Sequence, residues 1–239
     1  MDRRDFLAKA GVGTAAAGAL WAVPSVAGFD AAFAGASCAR TGIVDWDTYS
    51  VGTVWASQFF AAAGSHPALT VSTAGPAVQA GTPTAGADNG QVAAPTFGGI
   101  AERYYILRMT CNAAGEGFNV TFTFSTAVWN LRFSILDIDR SDQGGTTGWQ
   151  DLVWVTQTGA GPAFTFTGPG TAPNTVTGLG TNGNRWTGNG GTNIPDTSTN
   201  GNANLIFAGP VTSVTIRYVS GDRLDVAQRI GISDLTFCR

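Results

Sequence analysis

A chain of 239 residues with 12% charged residues, a net charge of −3 and a single histidine is short of most catalytic equipment. Any Ser-His-Asp or Cys-His arrangement would have to use His66, which sits before Pro67 in a Gly-Ser-His-Pro turn, and a His-rich zinc site is excluded. The charge balance offers no basic field to nucleic acid or to anionic lipid, so no nucleic-acid partner is expected.

The chain opens Met1-Asp2-Arg3-Arg4-Asp5-Phe6-Leu7-Ala8-Lys9 and continues in an Ala/Gly-rich apolar run towards Ala27. Paired arginines, then Phe-Leu, then a mild apolar run resemble a twin-arginine translocation signal, and Ala32-Phe33-Ala34 supplies an A-x-A cleavage site. The resemblance implies a bacterial protein exported in the folded state to a secreted, extracellular or cell-surface location. Residues 1–36 are the expected signal peptide, and residues 37–239 are long enough for one domain with a sizeable core. Glycines and Pro24 make the apolar run weak for a bilayer helix, and no membrane span is expected in the mature chain. No G-x-G-x-x-G after a strand, no P-loop and no Cys/His cluster announces a cofactor.

Three cysteines follow the signal: Cys38, Cys111 and Cys238. In an oxidising compartment Cys38 and Cys238 are expected to staple the chain ends, which requires the first and last strands to be neighbours. Cys111 is then a small residue at a strand end, and Cys38 with Cys111 is the competing pairing.

Short strands are expected at 43–46, 53–60 and 69–72, followed by a surface loop over 73–99 rich in Ala, Gly, Pro and Thr. Residues 103–110 read as a strand. In 118–124, Phe118, Val120, Phe122 and Phe124 alternate with Asn119, Thr121 and Thr123, the pattern of a half-exposed strand.

The stretch Trp129–Thr156 reads as a hairpin: one strand through Leu131, Phe133 and Ile135, an acidic Gly-containing loop, and a nearly continuous apolar return over Leu152–Val155. The apolar parity switches at Leu136 and Ile138, which predicts a β-bulge or a strand covered on both sides. Asp137, Asp139, Asp142 and Asp151, with Gly144 and Gly145 between them, have the oxygen ligands and tight path that could wrap a calcium ion. The spacing does not match an EF-hand loop, and the other reading is a solvated turn whose aspartates bond nearby backbone N–H groups.

Residues 163–167 and 175–177 are further short strands, and 178–203 is a long polar loop of Gly, Asn and Thr. Trp186, flanked by Arg185, is either an exposed stacker for a sugar ring or a plug seating the loop on the sandwich; Trp149 is a second aromatic candidate for ligand binding. Val214, Ile216 and Tyr218 form the inner face of a late strand. Ile230 and Ile232, then Leu235 and Phe237, close the chain on opposite parities. About ten short strands with Gly/Pro/Asn turns predict an all-β fold, an antiparallel β-sandwich of jelly-roll type.

Three stretches carry a resemblance: Asp45-Trp46-Asp47; Leu136-Asp137-Ile138-Asp139-Arg140 with Trp149-Gln150-Asp151; and Ile230-Gly231-Ile232-Ser233-Asp234-Leu235-Thr236-Phe237. Together they resemble secreted bacterial jelly-roll surface domains of the carbohydrate-binding-module-like kind. The resemblance implies glycan binding, with an extracellular glycan or cell-surface component as partner, and a structural calcium. A secreted, non-catalytic binding protein is therefore expected. The alternatives are a structural extracellular protein without a small ligand, or a polysaccharide hydrolase or lyase using the carboxylates of Asp137, Asp139 and Asp151.

Overall fold

The computed structural model describes residues 40–53, 58–60, 67–74, 90–111, 113–143, 147–158, 165–167, 176–181, 183–189, 193–221 and 227–238. The chain divides between Ala34 and Gly35, and the described residues all belong to the second unit. The expected signal peptide, Cys38 and His66 lie outside the described residues.

The strands in chain order are β1 (Thr41–Val44), β2 (Gln58–Phe60), β3 (Leu69–Ala74), β4 (Gln91–Ala93), β5 (Tyr104–Thr110), β6 (Gly117–Leu136), β7 (Arg140–Gln143) and β8 (Thr147–Thr158). They continue as β9 (Thr165–Thr167), β10 (Val176–Thr177), β11 (Trp186–Gly188), β12 (Ala203–Phe207), β13 (Val211–Ser220), β14 (Ala227–Ile232) and β15 (Leu235–Cys238). A 3-10 turn, Trp46–Thr48, follows β1. Every pairing is antiparallel, and the result is an all-β sandwich without an α-helix among the described residues.

The two sheets share β6, a 20-residue strand. Its first half pairs with β3 on one edge and β13 on the other. Its second half pairs with β12 on one edge and with β14 and β15 on the other. Val128 is still paired in the first sheet, to Val211, and Leu131 already in the second, to Phe207. Between them Asn130 takes φ +48°, a left-handed conformation that Asn tolerates better than most side chains. A strand that bends there can leave one layer and enter the other.

The alternation over Phe118–Phe124 has its physical cause in this layer. Phe118, Val120, Phe122 and Phe124 are buried between the sheets, and Thr123 is exposed on the outer face. Trp46 stacks on Tyr105 at 5.4 Å, and Phe124 meets Phe237 edge-on at 5.4 Å. Trp46 also explains why the Asp45-Trp46-Asp47 and Ser233-Asp234 stretches belong together. Its indole Nε1 donates to Ser233 O (2.9 Å), and its backbone N–H donates to Asp234 Oδ1 (2.9 Å). A small second cluster, formed by Ala93, Phe97, Tyr104, Ile106 and Leu136, packs beside the main core.

The expected hairpin over Trp129–Thr156 does not form. β8 lies against β13, and β13 lies between β8 and β6. The hairpin that exists is shorter, β7 with β8, from Arg140 opposite Gln150 to Gln143 opposite Thr147. Local alternation cannot reveal that a strand nearly sixty residues later will insert itself, because β pairing is set by burial across the whole layer. The parity switch is a covered segment: β6 ends at Leu136, and residues 136–139 are all buried. The described residues hold fifteen strands where about ten were expected, because the expected loops contribute short ones, β4 within 73–99 and β11 within 178–203.

The first and last strands are neighbours, with Thr41 opposite Cys238 and Val44 opposite Leu235. Cys238 is disulfide-bonded and Cys111 is free and buried. No helix among the described residues is long and apolar enough to cross a membrane.

Candidate functional site

The functional candidate lies where β6 ends. Asp137, the first residue past the strand, takes φ +63°. For a non-glycine residue this is a conformation the surroundings must hold in place. They do so through Asn202, whose Oδ1 accepts from Asp137 N–H (3.2 Å) while its Nδ2 donates to Gly98 O (2.7 Å). Ile138 N–H donates to Gly201 O (2.8 Å) on the same side. Gly98 is required: with φ +58°, a Cβ there would stand 2.7 Å from Asn202 Oδ1 and from Leu136 Cβ.

Asp139 and Asp151 interlock behind Asp137. Asp139 Oδ1 accepts from Trp149 Nε1 (2.6 Å), and its Oδ2 accepts from Ile194 N–H (2.9 Å). Asp151 Oδ2 accepts from Asp139 N–H (3.1 Å), and its Oδ1 accepts from Tyr218 OH (2.6 Å). Asp151 N–H returns a bond to Asp139 O (2.9 Å). This network ties the β6–β7 connection to β8, to β13 and to the segment carrying Ile194. Each of the four carboxylate oxygens has a protein donor, as buried carboxyl groups require.

Burial raises the pKa of all three aspartates. Asp151 stands well above the ordinary value of 3.8 because it is fully buried, with the charge of Asp139 adding to the effect. Asp139 is raised by burial and is partly restrained by its bonds from Trp149 and Ile194. Asp137 is pushed to about 8, by burial first and then by Asp139 and Asp196, with Arg229 opposing.

Asp137 is 4% exposed, yet its Oδ1 meets no hydrogen-bonding group of the protein. Gln228, on β14, is 2% exposed, and its amide, beside the Cys111 thiol, has no N–H, O–H or carbonyl partner. Both residues line one cleft of about 200 Å³, together with Asp139 and Trp149. Its more exposed lining includes Asp196, Arg108 and Arg229. Arg229 bonds Asp196 at 2.7 Å and lies over the Phe97 ring at 4.8 Å.

The structure thus brings Asp137, Asp139, Asp151 and Trp149 together, and separates the other expected site residues from them. Asp142 pairs with Gly148 in the β7–β8 hairpin, and its side chain lies outside the described residues. Arg185 is exposed in the turn before β11 and does not line the cleft. Trp186 is not an exposed stacker: it is fully buried in the main core. Pairing of β11 with β8 sets Trp186 opposite Val153 and turns the indole inward, where it lies against Gly180.

The carboxylates of Asp139 and Asp151 are committed to hydrogen bonds within the protein. All four of these oxygens face N–H and O–H donors, and among the described residues no group of three or more His, Cys, Asp and Glu that could hold a metal ion is found.

Sequence reasoning gave Gln228 no role and Tyr218 only a place on the inner face of a late strand. The signal was present for both. Gln228 shares the parity of Ile230 and Ile232, and Tyr218 shares that of Val214 and Ile216, so each puts a polar group on a core-facing side.

Compared with known proteins, the chain matches no family model, no curated protein and no solved structure.

Proposed function

We propose that this chain is an exported, non-catalytic binding protein whose Asp137–Gln228 cleft takes one unit of a saccharide. One observation carries the reading: Asp137 Oδ1 and the amide atoms of Gln228 are buried without an N–H, O–H or carbonyl partner, and the two residues line one cleft. Each such atom costs about 1–3 kcal/mol when left unsatisfied, against a total stability of about 5–15 kcal/mol for a domain. A ligand that completes these bonds offsets that cost only when it is bound. Buried polar groups without partners, a left-handed non-glycine residue and a raised pKa in one concavity are together the mark of a functional site.

The chemistry of the lining selects the ligand class. Carboxyl, amide and guanidinium groups are planar and can engage neighbouring hydroxyls in pairs. At about 200 Å³ the cleft is smaller than the roughly 300–1,000 Å³ of a drug-sized site, which suits a single ring. The Arg3-Arg4 leader supports export of the folded chain to a compartment where polysaccharides are met.

A hydrolase reading draws on Asp137, whose pKa of about 8 would suit a general acid. It lacks the second carboxylate: Asp139 and Asp151 are held by protein donors, and Asp196 is paired with Arg229. A purely structural protein would gain nothing from keeping Gln228 unsatisfied.

The test compares wild type with Gln228→Met, by retention on immobilised polysaccharides and by thermal melting. The expected result is lost retention with an unchanged or raised midpoint, because an unsatisfied buried amide is replaced by an apolar chain of similar volume. Retention that survives the substitution, or a wild type that no polysaccharide retains, overturns the reading.

A further inference from the structure

We infer that the sugar unit recognised by this cleft carries an acetamido group, whose C=O and N–H are met by Asp137 and Gln228 and whose methyl rests on Trp149. The inference rests on the saccharide reading above and adds the chemical class. Charged groups of the lining are already committed to the protein. Asp196 binds Arg229 at 2.7 Å, and Asp139 accepts from Trp149 Nε1 and from Ile194 N–H. Gln228 and Arg229 are successive residues of β14, so their side chains leave the sheet on opposite faces, and Gln228 is turned to the core side with Ile230 and Ile232. A ligand that reaches the Gln228 amide therefore meets the inner groups of the cleft rather than Arg229.

The inner groups left to bind are neutral. Asp137 Oδ1 has no hydrogen-bonding partner at 4% exposure, and the Gln228 amide, at 2%, has no N–H, O–H or carbonyl partner. The Cys111 thiol beside that amide is only a weak donor and acceptor. Burial pushes the Asp137 pKa to about 8, so below that pH the carboxyl is held as the acid. In that form it both donates and accepts, as a primary amide does. A secondary amide complements such a pair. It is trans, so its N–H and C=O point to opposite edges and need a partner on each side. Asp137 follows the end of β6 and Gln228 lies on β14, so the two partners come from separate elements. Once buried, both amide groups have to be met. Trp149 lines the same cleft with its Nε1–H fixed on Asp139 Oδ1 at 2.6 Å, which leaves its ring as an apolar wall for the methyl. A plain hydroxyl makes no use of that wall. A carboxylate or an ammonium would arrive as an uncompensated charge among buried neutral groups.

The experiment titrates the mature chain, at a fixed mildly acidic pH, with chitin-derived oligosaccharides and with N-acetylgalactosamine glycosides. Each is compared with its deacetylated amine and with the glucose or galactose counterpart that has a hydroxyl at the same carbon. The expected result is that at least one acetamido ligand binds more tightly than both of its counterparts, by about tenfold or more. Gln228→Met should abolish binding. Asp137→Asn keeps a donor and an acceptor, and Asn tolerates the φ of +63° at this position, so the preference should survive it. Equal or tighter binding of the hydroxyl or amine counterparts overturns the inference and leaves the saccharide reading standing, and so does a preference lost in a folded Asp137→Asn chain. Binding of none of these sugars, or binding that survives Gln228→Met, overturns both.

Discussion

The hydroxyl of Tyr218 donates to Asp151 Oδ1 over 2.6 Å, and neither residue has any exposure to solvent. The bond joins neighbouring strands β13 and β8 underneath the cleft, and it is one of the two that hold the Asp151 carboxyl group. Tyr218→Phe removes the donor and leaves a buried oxygen with nothing to accept. We expect a loss of about 1–3 kcal/mol in urea unfolding, with little change in the slope of the transition. An unchanged midpoint would mean that the bond contributes nothing to the fold.

The pH dependence of stability follows from the raised aspartates. Asp137 is pushed from 3.8 to about 8, and Asp234 from 3.8 to about 7, in both cases chiefly by burial. Folded-state values above the unfolded ones mean that the native chain binds more protons between these limits. Stability is then fully present below the unfolded pKa and is lost as pH rises towards the folded one, with a slope of up to about 1.4 kcal/mol per pH unit for each proton. Denaturant unfolding should therefore show lower stability at pH 8 than at pH 5. Asp137→Asn should flatten the decline. A stability that rises over the same range contradicts the assignment.

Cys238 is disulfide-bonded, Cys111 is a free buried thiol, and β1 runs beside β15 with Thr41 opposite Cys238. We propose Cys38 as the partner of Cys238, and peptide mapping under non-reducing conditions should recover those two peptides as one mass. The closed loop of about 200 residues has an entropic worth of about 4–5 kcal/mol, which strain lowers. Cys38→Ser should destabilise the mature chain, whereas Cys111→Ala should cost only the packing of a small side chain. A mapped Cys111 cross-link would reverse the assignment.

The committed oxygens of Asp139 and Asp151 also make a prediction about metal. A ligand that binds only the native state raises the melting midpoint by mass action. Adding calcium, or excess chelator, should leave the midpoint where it is. A calcium-dependent rise that Asp139→Asn abolishes would show that the hydrogen-bonded network is not the state calcium meets.

What could be read from the sequence divides along physical lines. The period-two alternation of Phe118, Val120, Phe122 and Phe124 is a local pattern, and it marks a strand with one buried face. The grouping of Asp137, Asp139 and Asp151 also followed from residue type and proximity in the chain. The insertion of β13 between β6 and β8 did not, because pairing over long separations leaves no local trace. Trp186 has polar sequence neighbours and yet is buried. Its burial depends on the pairing of β11 with β8 and on the missing side chain of Gly180, whose backbone oxygen accepts from Val155 N–H (2.9 Å). Gln228 was visible as a polar residue on an apolar parity, but only the cleft beside it gives that misfit a meaning.

The central claim is that ligand enters at Asp137 and Gln228, and the Trp149 indole is the reporter closest to hand. Its Nε1–H is bonded to Asp139 Oδ1 at 2.6 Å, and its side chain lines the cleft, whereas the Trp186 indole is buried in the core. The measurement is a titration of ¹⁵N-labelled mature protein with acetamido-bearing oligosaccharides, and with plain ones, following the indole N–H resonances. The account predicts a saturable shift of Trp149 with Trp186 unmoved, and loss of that shift in Gln228→Met. A Trp149 resonance that stays in place while another tryptophan moves, or no movement with any oligosaccharide, would contradict it.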